Sequence, residues 1–170
     1  PRSVPVLLLP AGLRPVKDVL WAVAAIERAA AVHAASSAAA SAASSARHPP
    51  FVLAVVGPAL DAEYAASVAT RLGRPPVTTS SDFGSGSGPT ADDEMSSSAL
   101  TIIPTAAVLL PPVDRVVMVS YMRDAAAVVN TSTSEGQSGA LLEAAAVGTP
   151  IVARDIPGNR SLLDLVHGAA

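Results

Sequence analysis

Short, continuously apolar runs alternate along the chain with longer stretches of helical character. Val4 to Leu9, Phe51 to Val56, Ala106 to Leu110, Ala125 to Val129 and Ile151 to Ala153 are the apolar runs. Strands buried on both faces of a parallel sheet read this way. Between them, Val16 to about Ala35 places Val16, Leu20, Val23 and Ile26–Ala30 at helical spacing. Leu60 to Leu72 predicts a helix stopped by Gly73 and Pro75. Pro112 to Asp124 predicts a helix with proline in its first turn, although its β-branched residues leave a strand as the alternative. Ser138 to Val147 and Asn159 to His167 complete the set.

A strict β-α alternation with right-handed crossovers predicts an α/β domain, a doubly wound parallel sheet of Rossmann-like form. Ligands of such sheets bind beyond the carboxyl ends of the strands. The loops containing Gly12, Gly57 and Asn130–Gly139 follow strands and fall at that edge. Two stretches interrupt the pattern: the Ala/Ser run at 34–50, and residues 78–99 around Gly84-Ser-Gly-Ser-Gly88. Neither has enough large apolar residues to offset its ordering entropy, so both read as surface inserts. Alanine also allows the first to prolong the helix before it.

Composition narrows the function classes. A chain of 170 residues suits one domain. Its net charge of −3, with 15% charged residues, argues against nucleic acid as a partner. No apolar run is long enough for a membrane span. Cysteine is absent, so no disulfide holds the fold, and a cytoplasmic location is the expectation. Pro1 in the place of Met implies a natural start further upstream. No His/Cys/Asp cluster has metal spacing. The P-loop and a Gly-x-Gly-x-x-Gly after the first strand are both missing, which argues against an NTPase or a dinucleotide reader.

The chemistry concentrates in Glu135-Gly-Gln-Ser-Gly-Ala-Leu-Leu-Glu143. Gly136, Ser138 and Gly139 let a ligand approach the backbone where a helix begins. The unpaired N–H groups and partial positive charge of a helix start favour phosphate. Glu143, further inside the helix, can accept two hydrogen bonds from a vicinal diol such as a ribose. The bland alternative is a capped amphipathic helix with two solvated glutamates.

The wider stretch from Asn130 to Ala153 resembles the signature of the glycosyl transferases group 1 domain of retaining glycosyltransferases. That pattern has Ser, then Glu-Gly three residues on, seven residues to a second Glu, then Ala and Gly-x-Pro. Ser132, Glu135, Gly136, Glu143, Ala144, Gly148 and Pro150 fall in register. Ala11-Gly-Leu-Arg-Pro-Val-Lys-Asp18 and Arg154-Asp-Ile-Pro-Gly-Asn159 look closest to the glycosyltransferase 1 domain-containing subgroup. The resemblance covers about residues 4–167. It implies the donor-binding, C-terminal half of a two-domain GT-B enzyme. Such an enzyme moves a sugar from a nucleoside diphosphate sugar to an acceptor hydroxyl with retention of configuration. The donor is a substrate, and no separate cofactor or metal is implied.

The resemblance also implies roles. Lys17, the chain's only lysine, matches the loop lysine that binds the donor diphosphate, and Arg14 stands near the companion arginine after Gly12, in the order Gly-Leu-Arg rather than Gly-Arg. Glu135 would lie by the donor sugar and Glu143 by the ribose. Apart from the resemblance, the Thr131, Ser132 and Ser138 hydroxyls can donate to phosphate beside the backbone at Gly136 and Gly139, with ordinary loop and cap chemistry as the alternative. Gly57 matches a turn near the base, although an ordinary strand-ending turn explains it equally. Gln137 replaces the family's common aromatic, and Asp155–Asn159 is explained by a turn. The implied architecture puts the acceptor site in an N-terminal domain that is not in this chain. The last strand and helix of the donor half are also missing, so no turnover is expected of this piece alone. A binding-only module and a nucleotide-sugar epimerase of the same architecture remain as alternatives, and a Rossmann dehydrogenase is more distant.

Overall fold

The computed structural model describes residues 4–40, 50–73 and 106–167. Five strands and five helices alternate: β1 (Val6–Pro10), α1 (Val19–Ala40), β2 (Val52–Val56), α2 (Ala62–Arg71), β3 (Ala107–Leu110), α3 (Arg115–Asp124), β4 (Ala127–Asn130), α4 (Gly139–Ala146), β5 (Ile151–Ala153) and α5 (Pro157–His167). All strand pairs are parallel, in the order β3-β2-β1-β4-β5. The chain steps outward from β1 to β3, then returns past β1 to lay down β4 and β5. This is the doubly wound, Rossmann-like sheet that the alternation predicts, and its strand order reverses between β1 and β4.

Strand side chains alternate between two cores, as period-two geometry requires. Leu9, Leu53, Val55, Ala107 and Leu109 pack with Val19, Val23, Val68 and Ala69 of α1 and α2. Leu8, Ala54, Val56 and Val128 face the other way, onto Met122, Leu141, Ala144 and Leu162 of α3, α4 and α5. Both faces are therefore apolar, which is why the strands read as unbroken hydrophobic runs.

Three boundaries differ from the sequence expectation by three residues or more. The helix expected from Val16 is broken: Pro15–Lys17 forms a single 3-10 turn, and Asp18 adopts a left-handed conformation (φ 47°) before α1 starts at Val19. A residue in that region cannot continue a right-handed helix. At its other end α1 runs on to Ala40, so residues 34–40 are helical rather than loop. The rest of that insert, 41–49, and the whole of 78–99 lie outside the described residues. Pro112 is not in the first turn of α3. Asp114 caps that helix, its carboxylate accepting the Val117 N–H at 2.9 Å, and the prolines precede it. The β-branched Val116, Val117 and Val119 are helical, and Met122 on the same helix is fully buried in the second core. Gly148 (φ 77°) ends α4, and the Thr149 hydroxyl donates to the Met122 carbonyl at 2.8 Å, tying that turn to α3. Among the described residues no helix is long and apolar enough to cross a membrane.

Candidate functional site

Because β1 and β4 are neighbours, the loops leaving their carboxyl ends lie side by side. Hydrogen bonds stitch them together. The Thr131 hydroxyl donates to the Lys17 carbonyl at 2.8 Å, and the Thr133 N–H donates to the Val16 carbonyl at 2.9 Å. This brings together Lys17 and Glu135, 118 positions apart, as an ion pair. Their side chains are only 17% and 12% exposed. The Ser132 hydroxyl donates to the same carboxylate at 2.7 Å, and the Asn130 amide approaches it at 3.4 Å. All three donors converge on Oε1. Among the described residues Oε2 receives no hydrogen bond.

Asn130, buried at the end of β4, organises this carboxylate. Its Nδ2 also donates to the Ser138 hydroxyl at 3.1 Å, and its Oδ1 accepts the Ser132 N–H at 3.0 Å and Nδ2 of buried Asn159 at 3.5 Å. Sequence reasoning passed over Asn130 and Asn159. The signal was two asparagines, one ending a strand and one at the start of the final helix. Gly158 is a second omission. A Cβ there would collide with the Glu135 carbonyl oxygen and lie 2.6 Å from that of Gly136. The stretch Asp155–Asn159, explained in the sequence by a turn, thus begins α5 directly against the Glu135–Gly136 backbone.

Burial pushes the Glu135 carboxyl up, but the Lys17 ammonium and the Ser132 hydroxyl, with the Asn130 amide, outweigh it and hold the group below its ordinary value of 4.5. A depressed carboxyl adds stability that is present above its unfolded pKa and is lost as pH falls through the folded value. Glu135→Gln should therefore unfold at lower denaturant than the parent near neutrality, by about 1.5–3 kcal/mol, the size of a charge-assisted hydrogen bond. That difference should shrink as pH falls below about 4.5. Urea titrations across pH check this, and a gap that stays constant would mean that the ion pair contributes nothing. Asp155 is also depressed, by Arg160, but both proteins share that pair and it cancels.

The remaining sequence candidates divide. Ser138 holds the cap position of α4, yet its buried hydroxyl makes no capping bond and accepts from Asn130 instead. The first amides of α4 thus lack a side-chain cap, beside exposed Gly136, Gln137 and Gly139. A Cβ on either glycine would meet open space. Glu143 is one turn into α4 and its Oε1 accepts from Arg115 Nε at 2.7 Å, a partner the sequence reading did not name. Arg115 is 80% exposed, so this pair is readily displaced. Arg14 is exposed at the start of the 3-10 turn and makes no side-chain hydrogen bond or ion pair among the described residues. Gly12 and Gly57 serve close packing: a Cβ on Gly12 would press on Leu60, and one on Gly57 would lie 2.7 Å from the Ala11 carbonyl carbon.

Comparisons with known proteins agree with this architecture. The family model for glycosyl transferases group 1 matches residues 83–169, just over half of the chain. Glycosyltransferase 1 domain-containing protein 1 of Xenopus tropicalis is 54% identical over 37 residues, 22% of this chain and 11% of that protein. The crystal structure of the pneumococcal O-GlcNAc transferase GtfA, in complex with UDP and GlcNAc, superposes with a TM-score of 0.55 at 16% identity, over 92% of this chain and 22% of that one. At that identity the superposition shows a shared fold. The chain thus spans a small part of the length of each of these relatives. With the family's model matched over the segment that carries Glu135 and Glu143, the chain belongs to the glycosyl transferases group 1 family.

Proposed function

We propose that this chain is the donor-binding domain of a retaining glycosyltransferase that uses a nucleoside diphosphate sugar. The observation that carries this reading is the Glu135 carboxylate. It is kept ionised through Oε1, while Oε2 is left to accept from sugar hydroxyls. It stands where the strand order reverses, between β1 and β4, which is the ligand crevice of such sheets. The Lys17 ammonium lies against it, and exposed Arg14 immediately precedes the 3-10 turn that ends at Lys17. The uncapped start of α4 adds N–H groups for phosphate. Glu143 is free to exchange exposed Arg115 for a ribose diol.

In the reaction, the bond between the sugar's anomeric carbon and the diphosphate oxygen breaks. A bond from that carbon to the acceptor oxygen forms, and the acceptor hydroxyl's proton passes to the departing diphosphate. Charge builds on the departing diphosphate, where Lys17, Arg14 and the amides near Ser138 and Gly139 stabilise it. Glu135 orients the sugar, and Glu143 fixes the ribose. The acceptor is held by a domain outside this chain. UDP binding by the structural neighbour supports a nucleoside diphosphate as ligand.

Calorimetric titration of UDP, GDP and ADP, then of their sugars, tests this. One nucleotide should bind, and Glu143→Ala should weaken it about 10-fold, as lost hydrogen bonds to a charged acceptor do. A folded chain that binds none of them would sink the reading.

A further inference from the structure

One arginine joins the elements that carry the site. Arg154 directly follows β5, and its Nη1 donates to Asp18 Oδ2 at 2.6 Å and to the Thr131 carbonyl at 3.0 Å. The guanidinium lies over the Trp21 ring, 5.2 Å from its centroid. Its backbone is held as well: the N–H donates to the Asn130 carbonyl at 2.8 Å, and the carbonyl accepts Asn159 Nδ2 at 3.0 Å. Asp18 immediately follows Lys17. Among the described residues it is the one non-glycine with positive φ. The left-handed conformation disfavours an L-residue by roughly 1–2 kcal/mol, so the surrounding contacts must hold it. Three supply that hold: the Asp18 N–H bonded to the Pro15 carbonyl, the Asp18 carbonyl accepting the Ala22 N–H at 3.3 Å, and, as the one side-chain contact, the Asp18 carboxylate bonded to Arg154. The Thr131 hydroxyl fixes the carbonyl of Lys17 itself.

We propose that Arg154 is a positioning residue for Lys17: by holding Asp18 in its left-handed conformation and Thr131 beside it, Arg154 sets the direction from which the Lys17 ammonium meets a diphosphate. This rests on the donor-site reading above. The ammonium sits on a flexible four-carbon stem, so its placement depends on where the backbone at Lys17 is anchored. Two guanidinium hydrogen bonds and a stacked ring reach that anchor from the residue that follows β5. A lysine at position 154 would keep the charge, but not the planar group that stacks on Trp21 while pairing with Asp18.

The test compares a nucleoside diphosphate with its own nucleoside, using whichever of UDP, GDP and ADP the parent chain binds best. Lys17 acts on the diphosphate and not on the nucleoside. Arg154→Ala should therefore lower diphosphate affinity by about 10-fold, one well-placed charged contact, and leave nucleoside affinity unchanged. Arg154→Lys should restore only part of it. Asp18→Asn, which tolerates the left-handed conformation but removes the charge, should show the same selective loss. In a Lys17→Met background Arg154→Ala should have no further effect. Equal losses for nucleoside and diphosphate, no loss at all, or additive losses in the Lys17→Met background would overturn the assignment. A parent that binds the diphosphate no better than the nucleoside would instead overturn the donor-site reading beneath it.

Discussion

Replacing Lys17 with methionine should reduce affinity for the nucleoside diphosphate by about 10–100-fold, the range of one to two charge-assisted hydrogen bonds. The nucleoside should bind as before. Methionine keeps the length and apolar stem of lysine and removes the charge, so the packing of the loop between β1 and α1 is preserved. Glu135 then keeps only the Ser132 hydroxyl and the Asn130 amide as donors, and its carboxyl titrates at higher pH than in the parent. Two measurements check the result: calorimetry with the nucleotide and its nucleoside, and the pH dependence of unfolding. Unaltered diphosphate binding would remove Lys17 from the site, whatever its role toward Glu135.

Gly158→Ala should destabilise the chain by about 1–3 kcal/mol, the cost of forcing extra bulk into a packed position. Its Cβ would meet backbone atoms: the carbonyl oxygens of Glu135 and Gly136, with the Glu135 carbonyl carbon at 2.9 Å. Backbone cannot swing aside as a side chain can. Relief requires the start of α5 and the Glu135 loop to separate, and that loop holds Oε1 of Glu135 against Lys17 and Ser132. Ligand affinity should therefore fall together with stability. Denaturant unfolding and nucleotide titration of the same variant check both. A variant of parental stability would mean that the two backbones separate freely, and the close approach would then not hold the site together.

The fold was legible because burial on both faces makes each strand a continuous apolar run, and apolar residues at helical spacing, with Gly and Pro stops, mark the helices between. The boundaries were less so. Nothing in Pro15-Val-Lys-Asp18 distinguishes a helix start from a 3-10 turn with a left-handed Asp18, because that conformation depends on an arginine 136 positions away. The two glutamates stood out by their spacing at a helix start, and Lys17 entered through the resemblance. Their partners were not. Asn130, Arg154 and Asn159 act by hydrogen bonds across the sheet, and Arg115 reaches Glu143 from another helix. Gly158 was hidden for a different reason: turn chemistry explains an Ile-Pro-Gly-Asn stretch well enough that a close backbone approach leaves no separate trace.

The adjacency of β1 and β4 also fixes when the site comes into being. Their pairing joins residues more than a hundred positions apart, the kind of distant contact that slows folding because chain entropy is lost before the contact compensates. Lys17 and Glu135 cannot meet until β4 has docked beside β1. A partly folded chain containing only the first three strands would hold no nucleotide. Conversely, a ligand at about a hundred times its dissociation constant would favour the complete sheet by about 2.7 kcal/mol, so nucleotide retention becomes a readout of finished folding rather than of the two loops alone.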